Sequence, residues 1–479
     1  MTDLPLPTAL AALEARVRDD LARTAHPARA WVPQRTAADG RHVYDVVIVG
    51  AGQGGLTIAH ALKRERVDNV LVIDRATAGH EGVWAQYARM PTLRSPKEFT
   101  GPDLGLPSLT YQSWHEAVFG TASWQSLNRI PKENWSYYLA WYRRVLELPV
   151  RNEVALIAIA SGADGVLRLT VEAANGREEL RTRKLVLATG QDGTGRWWMP
   201  DFIEALPAQY RATCDQDIDF AALKGKIVAV LGQGASAADN AATALEAGAA
   251  GVHMFLRRAE LQRVQPYLWL TFSGFLRHIG EMPDAWRWRF MRHILSLRES
   301  FPQETYDRMC RHPGFQIHRN AGWHGATVSG DRVHIATVQG AFVADFVICG
   351  TGIDIDLARR PELASFADKV ATWGDRYLPP PGETEPRLTR FPYHAPDGSF
   401  VEKVVGEAPF LADVHDFTIG TTMSFGPFGC SINAMNIAVP KLVAGITRGL
   451  FAADIETHWQ SLQAFEGTVF EPRPIDVDS

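Results

Sequence analysis

A short apolar run that ends in closely spaced glycines constrains the fold of this chain most strongly. Tyr44–Val49 (YDVVIV) predicts a buried strand, and the following turn places Gly50, Gly52 and Gly55 at the opening of a helix. In this pattern the first glycine allows a tight turn, the second lets the backbone approach a pyrophosphate, and the third lets the helix pack closely. The helix N-terminus adds N–H groups and a partial positive charge for the phosphates. The sequence therefore predicts a Rossmann-like α/β unit.

An acidic residue follows the second predicted strand, Val70–Ile73. Asp74 stands 24 residues after Gly50, and Arg75 comes directly after it. A carboxylate at this position accepts hydrogen bonds from ribose hydroxyls and repels a 2′-phosphate. We therefore expect Asp74 and Arg75 to belong to a site for a dinucleotide, either NAD or FAD.

The same design recurs about 180 residues later in the chain. Lys226–Leu231 predicts a strand, and the turn after it carries Gly232, Gly234, Ser236 and Ala237. Alanine is an accepted third member of the glycine pattern. The chain therefore holds two predicted dinucleotide-binding units rather than a solenoid repeat.

The second unit differs from the first in the charge at the end of its second strand. Arg257 and Arg258 occupy the place where an acid would stand. Guanidinium groups form charge-assisted, often bidentate bonds to phosphate, so this pair favours NADPH over NADH. The alternative is a solvated arginine pair at a strand end. One predicted dinucleotide site thus carries an acid and the other carries arginines. This difference predicts that the chain binds FAD and NADPH together, with hydride transfer from NADPH to FAD.

Composition excludes several other classes of protein. The 479 residues carry 49 basic and 54 acidic side chains without a Lys/Arg run, which argues against a nucleic-acid partner. The four cysteines form no CxxC pair, so neither a disulfide scaffold nor a redox dithiol is indicated. No metal-ligand motif and no apolar run long enough to span a membrane is present. We expect a soluble, cytoplasmic enzyme.

The order of these patterns predicts a large FAD domain made from both chain ends, with an NADPH domain between them. An aromatic, helical insert is expected to wall a substrate pocket, form a subunit contact, rest on a membrane surface, or pack as an ordinary core hairpin. The predicted segments are an N-terminal helix and linker (1–42), the N-terminal portion of the FAD domain (43–195), the NADPH domain (196–344) with its insert (259–305), and the C-terminal portion of the FAD domain (345–470).

From about residue 44 to 450 the chain resembles the class B flavoprotein monooxygenases, which include flavin-containing, Baeyer–Villiger and N-hydroxylating enzymes. Gly82-Val83-Trp84 is similar to the family's GGxW segment. Ala188-Thr189-Gly190 and Gly350-Thr351-Gly352 are similar to the family's two ATG segments. Residues 151–154 (RNEV) are similar to the stretch that contacts the FAD adenine. The resemblance implies cofactor contacts at Trp84, Val154, Thr189, Gly190 and Gly352.

The resemblance also implies a reaction. NADPH reduces FAD, dioxygen adds at flavin C4a, and the resulting (hydro)peroxide gives one oxygen atom to a small organic substrate. The family's FxGxxxH sequence is missing, which favours N- or S-oxygenation over Baeyer–Villiger chemistry. Alternatives are an NAD(P)H-dependent flavin oxidase or reductase and a regulator without turnover; a homodimer is a further expectation.

Few side chains need be catalytic in such a reaction, because the flavin carries the chemistry. By analogy, Arg94, Ser95 or Lys97 would stabilise developing charge near the ring. A helix predicted from Ser431 to Leu442 would direct its N-terminus at the flavin, with Ser431 and Asn433 as donors. The alternative for this segment is a capped core helix.

Overall fold

The structure is a computed structural model that describes residues 8–37, 39–162, 164–297, 299–427 and 431–471. These residues form the helices α1 (Thr8–Arg23), α2 (Gln53–Arg64), α3 (Tyr111–Phe119), α4 (Thr121–Ser126), α5 (Lys132–Val145), α6 (Asp201–Glu204), α7 (Ala235–Glu246), α8 (Pro266–Trp269), α9 (Ser273–His278), α10 (Asp284–Leu297), α11 (Gln303–Cys310), α12 (Trp373–Arg376), α13 (Thr422–Phe425), α14 (Met435–Ala453) and α15 (Ile455–Gln463). None of the helices within these described ranges is long and apolar enough to cross a membrane.

The same residues form the strands β1 (Tyr44–Val49), β2 (Val70–Ile73), β3 (Val150–Arg151), β4 (Ala155–Ser161), β5 (Leu167–Ala173), β6 (Gly176–Leu187), β7 (Gly195–Trp197), β8 (Arg211–Thr213), β9 (Ile227–Leu231), β10 (Gly251–Phe255), β11 (Phe315–His318), β12 (Trp323–Ser329), β13 (Arg332–Thr337), β14 (Gly340–Ala344), β15 (Phe346–Cys349), β16 (Ile353–Ile355) and β17 (Val414–Asp416). The prediction of an α/β fold is confirmed.

The first sheet is built around β1 and has the order β3-β2-β1-β6-β5-β4, with β17 beside β6. β1, β2, β3, β6 and β17 are parallel, whereas β4 and β5 add an antiparallel meander. β1 is apolar apart from Asp45 and almost wholly buried, as expected for a strand covered on both faces. Val49 lies opposite Ile73, so Gly50 and Asp74 leave the sheet at the same edge. We call this sheet and the elements packed on it the first lobe.

The second sheet has the order β11-β10-β9-β15-β8, and all of its pairings are parallel. Together with the antiparallel β12-β13-β14 sheet beside it, we call it the second lobe. β15 begins at Phe346 and pairs with β9, whereas the sequence predicts that the second domain ends at residue 344. We therefore propose that the second lobe extends to Cys349.

Two short strands join the lobes. β7 lies where the chain leaves the first sheet, and β16 lies where the chain returns from the second sheet. They pair antiparallel, with Ile353 opposite Trp197. The hydroxyl of Thr351 also donates to the carbonyl of Trp198. The two connections between the lobes are thus held against each other.

The aromatic insert packs into the first lobe, although the sequence assigns it to the NADPH domain. Trp288 on α10 is fully buried, and its ring centroid lies 5.6 Å from that of Tyr377. The buried guanidinium of Arg287 donates to the carbonyl of Ser424 at 3.4 Å and lies 5.0 Å from the ring centroid of Trp373. The insert therefore bridges the lobes, because its chain ends lie in the second lobe while its core lies in the first.

Replacing Trp288 with alanine should weaken this anchor. The substitution leaves a cavity and removes the bond from Nε1 to the carbonyl of Glu383 (2.9 Å). We expect a loss of about 3–5 kcal/mol in the free energy of unfolding, measured by chemical denaturation and circular dichroism. Trp286→Ala on the same helix is the matched control, because that ring is 52% exposed. Equal losses of unfolding free energy in the two variants would show that Trp288 does not anchor the insert to the first lobe.

Candidate functional site

A cavity of about 840 Å³ lies between the lobes, and both glycine turns line it. Gly50 and Gly52 reach it from the first lobe. Gly234, Ser236 and Ala237 reach it from the second lobe. Ligands held at the two turns would therefore come together in one space, as expected for a site between two domains.

The three glycines of the first turn, Gly50, Gly52 and Gly55, have different surroundings. Gly50 has a φ of +105°, and a Cβ there would overlap the carbonyl oxygen of Ala188. A Cβ on Gly55 would overlap the carbonyl oxygen of Gly50, so this residue serves helix packing and does not line the cavity. A Cβ on Gly52 would make only an ordinary contact, 3.5 Å from Gly82 Cα. Gly52 is therefore the member that leaves space for a ligand.

The carboxylate of Asp74 is held in a fixed orientation at the cavity wall. Its Oδ2 accepts from the backbone N–H of Ala51 at 2.7 Å, and its Oδ1 accepts from that of Ala76 at 2.8 Å. Burial raises the pKa of Asp74, and the two N–H groups oppose that shift. Each oxygen keeps a second lone pair for a ribose hydroxyl. Arg75 also lines the cavity and is exposed.

The second glycine turn repeats this geometry. Gly232 has a φ of +126°, and a Cβ there would overlap the carbonyl oxygen of Gly350. A Cβ on Gly350 would in turn overlap the methyl group of Ala237. A Cβ on Gly234 would meet no described atom within 4 Å, so this residue opens onto free space. The second turn therefore has room for phosphate beside the first turn of α7.

The arginine pair lies just beyond the end of β10, and neither residue lines the cavity. Both side chains are exposed. Nη2 of Arg258 donates to the carbonyl of Ser296 at 2.6 Å. Arg257 has no hydrogen bond or ion pair with any residue that the structure describes, so its guanidinium is the more available of the two. Their role at a 2′-phosphate stays a prediction.

The residues singled out by the family resemblance lie around the cavity. Trp84, Thr189, Gly190 and Gly352 line it. The hydroxyl of Thr189 is buried and has no hydrogen-bond partner among the described residues, as expected for a group that awaits a ligand. Val154 also lines the cavity, and its N–H donates to the carbonyl of Asp74 at 2.9 Å.

The three basic and hydroxyl candidates of the 92–97 stretch have different surroundings. Arg94 lines the cavity but forms ion pairs with Asp239 (2.6 Å) and Glu299 (3.3 Å). Burial opposes the charge of Arg94, but the two carboxylates dominate and raise its pKa. Ser95 lines the cavity. Lys97 does not, because its Nζ donates to the carbonyl of Trp124 at 2.7 Å. The structure therefore offers no support for a catalytic Lys97.

The C-terminal candidates also lie at the cavity, but the helix begins later than expected. Ser431 and Asn433 line the cavity, and a short 3₁₀ turn (Ile432–Ala434) precedes α14. The helix therefore starts at Met435 instead of Ser431, and it continues through Pro440. Some of the predicted glycine-rich segment, residues 428–430, lies outside the described residues. Oδ1 of Asn433 is buried and has no described hydrogen-bond partner.

Sequence reasoning missed two cavity residues that the structure singles out. Nε1 of Trp197, on the crossing strand β7, is buried without a hydrogen-bond partner among the described residues, and Trp197 lines the cavity. Gln53 lines the cavity and accepts from Nε1 of Trp135 at 3.2 Å. A tryptophan after a strand and a glutamine inside a glycine turn follow no motif. Their importance depends on which chain segments meet in three dimensions.

These observations fit FAD at the first turn and NADPH at the second. Each turn has one glycine that leaves room for a ligand, Gly52 or Gly234. The buried hydroxyl of Thr189 and the buried Oδ1 of Asn433 have no described partner. Among the described residues, no group of three or more His, Cys, Asp or Glu could hold a metal ion.

The described cysteines are free thiols. Burial raises the pKa of Cys214, and burial also raises the pKa of Cys349 to about 12. Both therefore stay protonated at neutral pH, which is the opposite of a reactive redox thiol. Neither Cys214 nor Cys349 lines the cavity, so neither thiol is a candidate redox group there.

Comparison with known proteins agrees with this geometry. The FAD-dependent urate hydroxylase of Xanthomonas campestris pv. campestris is 41% identical over 463 residues, which cover 96% of this chain and 97% of that protein. The FAD-containing monooxygenase EthA of Mycolicibacterium smegmatis is 26% identical over 254 residues, or 51% of this chain and 48% of that protein. The family model for pyridine nucleotide-disulphide oxidoreductases matches residues 47–274.

Solved structures share the fold at low sequence identity. Reduced ornithine hydroxylase PvdA of Pseudomonas aeruginosa has a TM-score of 0.66 and 17% identity, covering 85% of this chain and 100% of that one. The ornithine N-hydroxylase KtzI of Kutzneria was solved with reduced FAD, NADP⁺ and L-ornithine. It has a TM-score of 0.64 and 17% identity, covering 85% of this chain and 99% of that one. With these folds and the 41% identity to a urate hydroxylase, the chain belongs to the class B flavoprotein monooxygenases, oxidoreductases that use FAD and NADPH.

Proposed function

We propose that this chain is an FAD- and NADPH-dependent hydroxylase that uses dioxygen to oxygenate urate or a closely related planar nitrogen heterocycle. The 41% identity to a urate hydroxylase, over 96% of this chain and 97% of that relative, supports this substrate. An alignment that covers 96% of this chain includes most of the segments that line the cavity. The ornithine hydroxylases share only the fold, at 17% identity.

Polar atoms in the cavity suit such a substrate. Urate is flat and presents alternating N–H donors and carbonyl acceptors around its rings. Oδ1 of Asn433 is a buried acceptor without a described partner, and Nε1 of Trp197 is a buried donor in the same state. Ser95 and Ser431 add hydroxyls that both donate and accept. Apolar walls at Leu93, Phe99, Leu295 and Ile432 would exclude water around a ring.

Residues at different places around the cavity would bind different parts of the cofactors and the substrate. Asp74 would accept from the ribose hydroxyls of FAD, and Arg257 would bind the 2′-phosphate of NADPH. Asn433 would orient the substrate from the turn that precedes α14. When bound, FAD supplies hydride acceptance from NADPH and activation of dioxygen. The protein then has to align the two rings and keep water away from them.

Three finer expectations accompany the proposal. N- or S-oxygenation stays a prediction beside hydroxylation of a ring carbon, and analysis of the product decides between them. A homodimer also stays a prediction. We place the enzyme in the cytoplasm because a reaction that consumes NADPH needs a compartment that regenerates it.

Urate should stimulate the enzyme where amino acids do not. With FAD, NADPH and dioxygen, we expect urate to accelerate NADPH oxidation and to yield a product that carries one ¹⁸O atom from ¹⁸O₂, detected by mass spectrometry. Ornithine and lysine serve as comparison substrates. Stimulation by either of them but not by urate would contradict the substrate. Hydrogen peroxide equal to the NADPH consumed, with every substrate, would instead support the oxidase alternative.

Replacing Arg257 with alanine should reduce the preference for NADPH. A hydrogen bond from a charged group contributes about 1.5–3 kcal/mol, so the ratio of kcat/KM for NADPH to that for NADH should fall about 10- to 150-fold. We expect a smaller fall for Arg258→Ala, whose side chain already bonds Ser296. The kcat/KM for NADH is the internal control and should stay within about twofold. An unchanged ratio in the double variant would remove the assigned role.

Replacing Asn433 with alanine should impair substrate use while FAD stays bound. Loss of one hydrogen bond to a polar group costs about 1–2 kcal/mol, so kcat/KM for urate should fall about tenfold. Asn436→Ala is the matched control, because Asn436 lies three residues further on and is exposed. Equal kcat/KM values in the two variants would show that Asn433 does not contact the substrate.

A further inference from the structure

A short segment of the first lobe reaches across to the second lobe beside the cavity. The hydroxyl of Thr92 donates to Oε2 of Glu304 at 3.1 Å, just where α11 begins. Nη2 of Arg89 donates to the carbonyl of Gln216 at 3.3 Å. Residues 89–94 therefore make polar contacts with two segments of the second lobe, one before β9 in the chain and one after it.

The strongest of these contacts joins Arg94 to the helix that follows the second glycine turn. Nη2 of Arg94 lies 2.6 Å from Oδ2 of Asp239. Asp239 stands on α7, two residues after Ala237, and its side chain is 3% exposed. Its Oδ1 accepts from the hydroxyl of Thr305 at 2.9 Å, so the carboxylate is fixed from both sides. Because Asp239 is buried and Arg94 is only partly exposed, this charge-assisted hydrogen bond has a strongly preferred geometry.

Arg94 is fixed on its own side as well. Its carbonyl accepts from the guanidinium of Arg129, and the adjacent N–H of Leu93 donates to the carbonyl of Ile130 at 2.8 Å. The second terminal nitrogen of Arg94 pairs with Glu299, where the chain leaves the aromatic insert. Both terminal nitrogens of this guanidinium are therefore already engaged by carboxylates. Only Nε, which is buried without a described partner, remains for direct contact with a ligand, so most of this side chain's hydrogen-bonding capacity serves the contact between the lobes.

We propose that Arg94 is a positioning residue, which acts through its ion pair with Asp239 to hold the NADPH-binding helix α7 in the orientation that brings the nicotinamide to the flavin. Hydride transfer needs the two rings in contact, and a displacement of about 1 Å at a reacting centre can cost on the order of 10²-fold in rate. The inference rests on the use of FAD and NADPH and is independent of the substrate.

Anaerobic stopped-flow reduction of the FAD-loaded enzyme tests this role without any substrate. In Arg94→Met and in Asp239→Asn, NADPH should reduce the flavin at least about tenfold more slowly than in the native enzyme. The double variant should be no slower than the slower single variant, because both substitutions break the same pair. Reduction by dithionite, which needs no alignment of the lobes, should keep its native rate in all three.

Arg144→Met is the matched control. Arg144 pairs with Glu14 at the same 2.6 Å, but both residues lie in the first lobe. This variant should be reduced by NADPH at the native rate. Arg94→Lys, which keeps the charge, should recover some of the rate.

Three results would overturn the proposal. Native rates in Arg94→Met and Asp239→Asn would show that the pair does not align the lobes. A slow Arg94→Met beside a native Asp239→Asn would mean that Arg94 acts directly at the rings. Loss of FAD or slow dithionite reduction in the variants would make the pair merely structural. Failure of urate as a substrate would leave all of these measurements interpretable.

Discussion

The architecture depends on a close backbone contact that occurs twice. In each lobe the tight glycine turn after the central strand is pressed against the segment that follows a neighbouring strand. Gly50 meets the carbonyl of Ala188, and Gly232 meets the carbonyl of Gly350. No side chain fits at either contact, so the turn and the crossing segment constrain each other. The second glycine of each turn, Gly52 or Gly234, then lies beside the cavity.

This contact explains why two kinds of motif occur together in the sequence. The Thr-Gly segments follow the strands β6 and β15, and the chain then passes between the lobes through β7 and β16. The same residues therefore cover the glycine turns and lead into the paired connections. A cofactor at either turn would lie beside the route that joins the lobes, so its binding and the relation between the lobes are physically linked.

The local patterns could be predicted from the sequence, and the long-range contacts could not. The strands Tyr44–Val49 and Val70–Ile73 have the predicted bounds, because buried parallel strands are continuous apolar runs. The helix predicted from Ser431 starts at Met435, since apolar spacing alone does not separate a 3₁₀ turn from a helix. Nothing in the sequence around Lys97 predicts the hydrogen bond from its Nζ to the carbonyl of Trp124. The placement of the aromatic insert likewise follows from packing against distant residues.

Charge patterns gave a similar result at the candidate site. Asp74 could be found because its spacing from Gly50 is a recurring feature of dinucleotide folds. Asp239 could not be found, because its importance comes from Arg94, which lies 145 positions away in the chain. The family's chemistry is carried by cofactors, whereas the alignment of those cofactors in this chain depends on such pairs.

Two dinucleotides held at the two glycine turns should meet in one cavity. A crystal structure of the enzyme with FAD and NADP⁺ would show whether they do. We expect the FAD pyrophosphate at Gly52, the NADP⁺ pyrophosphate at Gly234, and the flavin and nicotinamide rings together in the cavity between the lobes. Density for either dinucleotide away from its turn, with the turn itself blocked by protein, would rule this arrangement out.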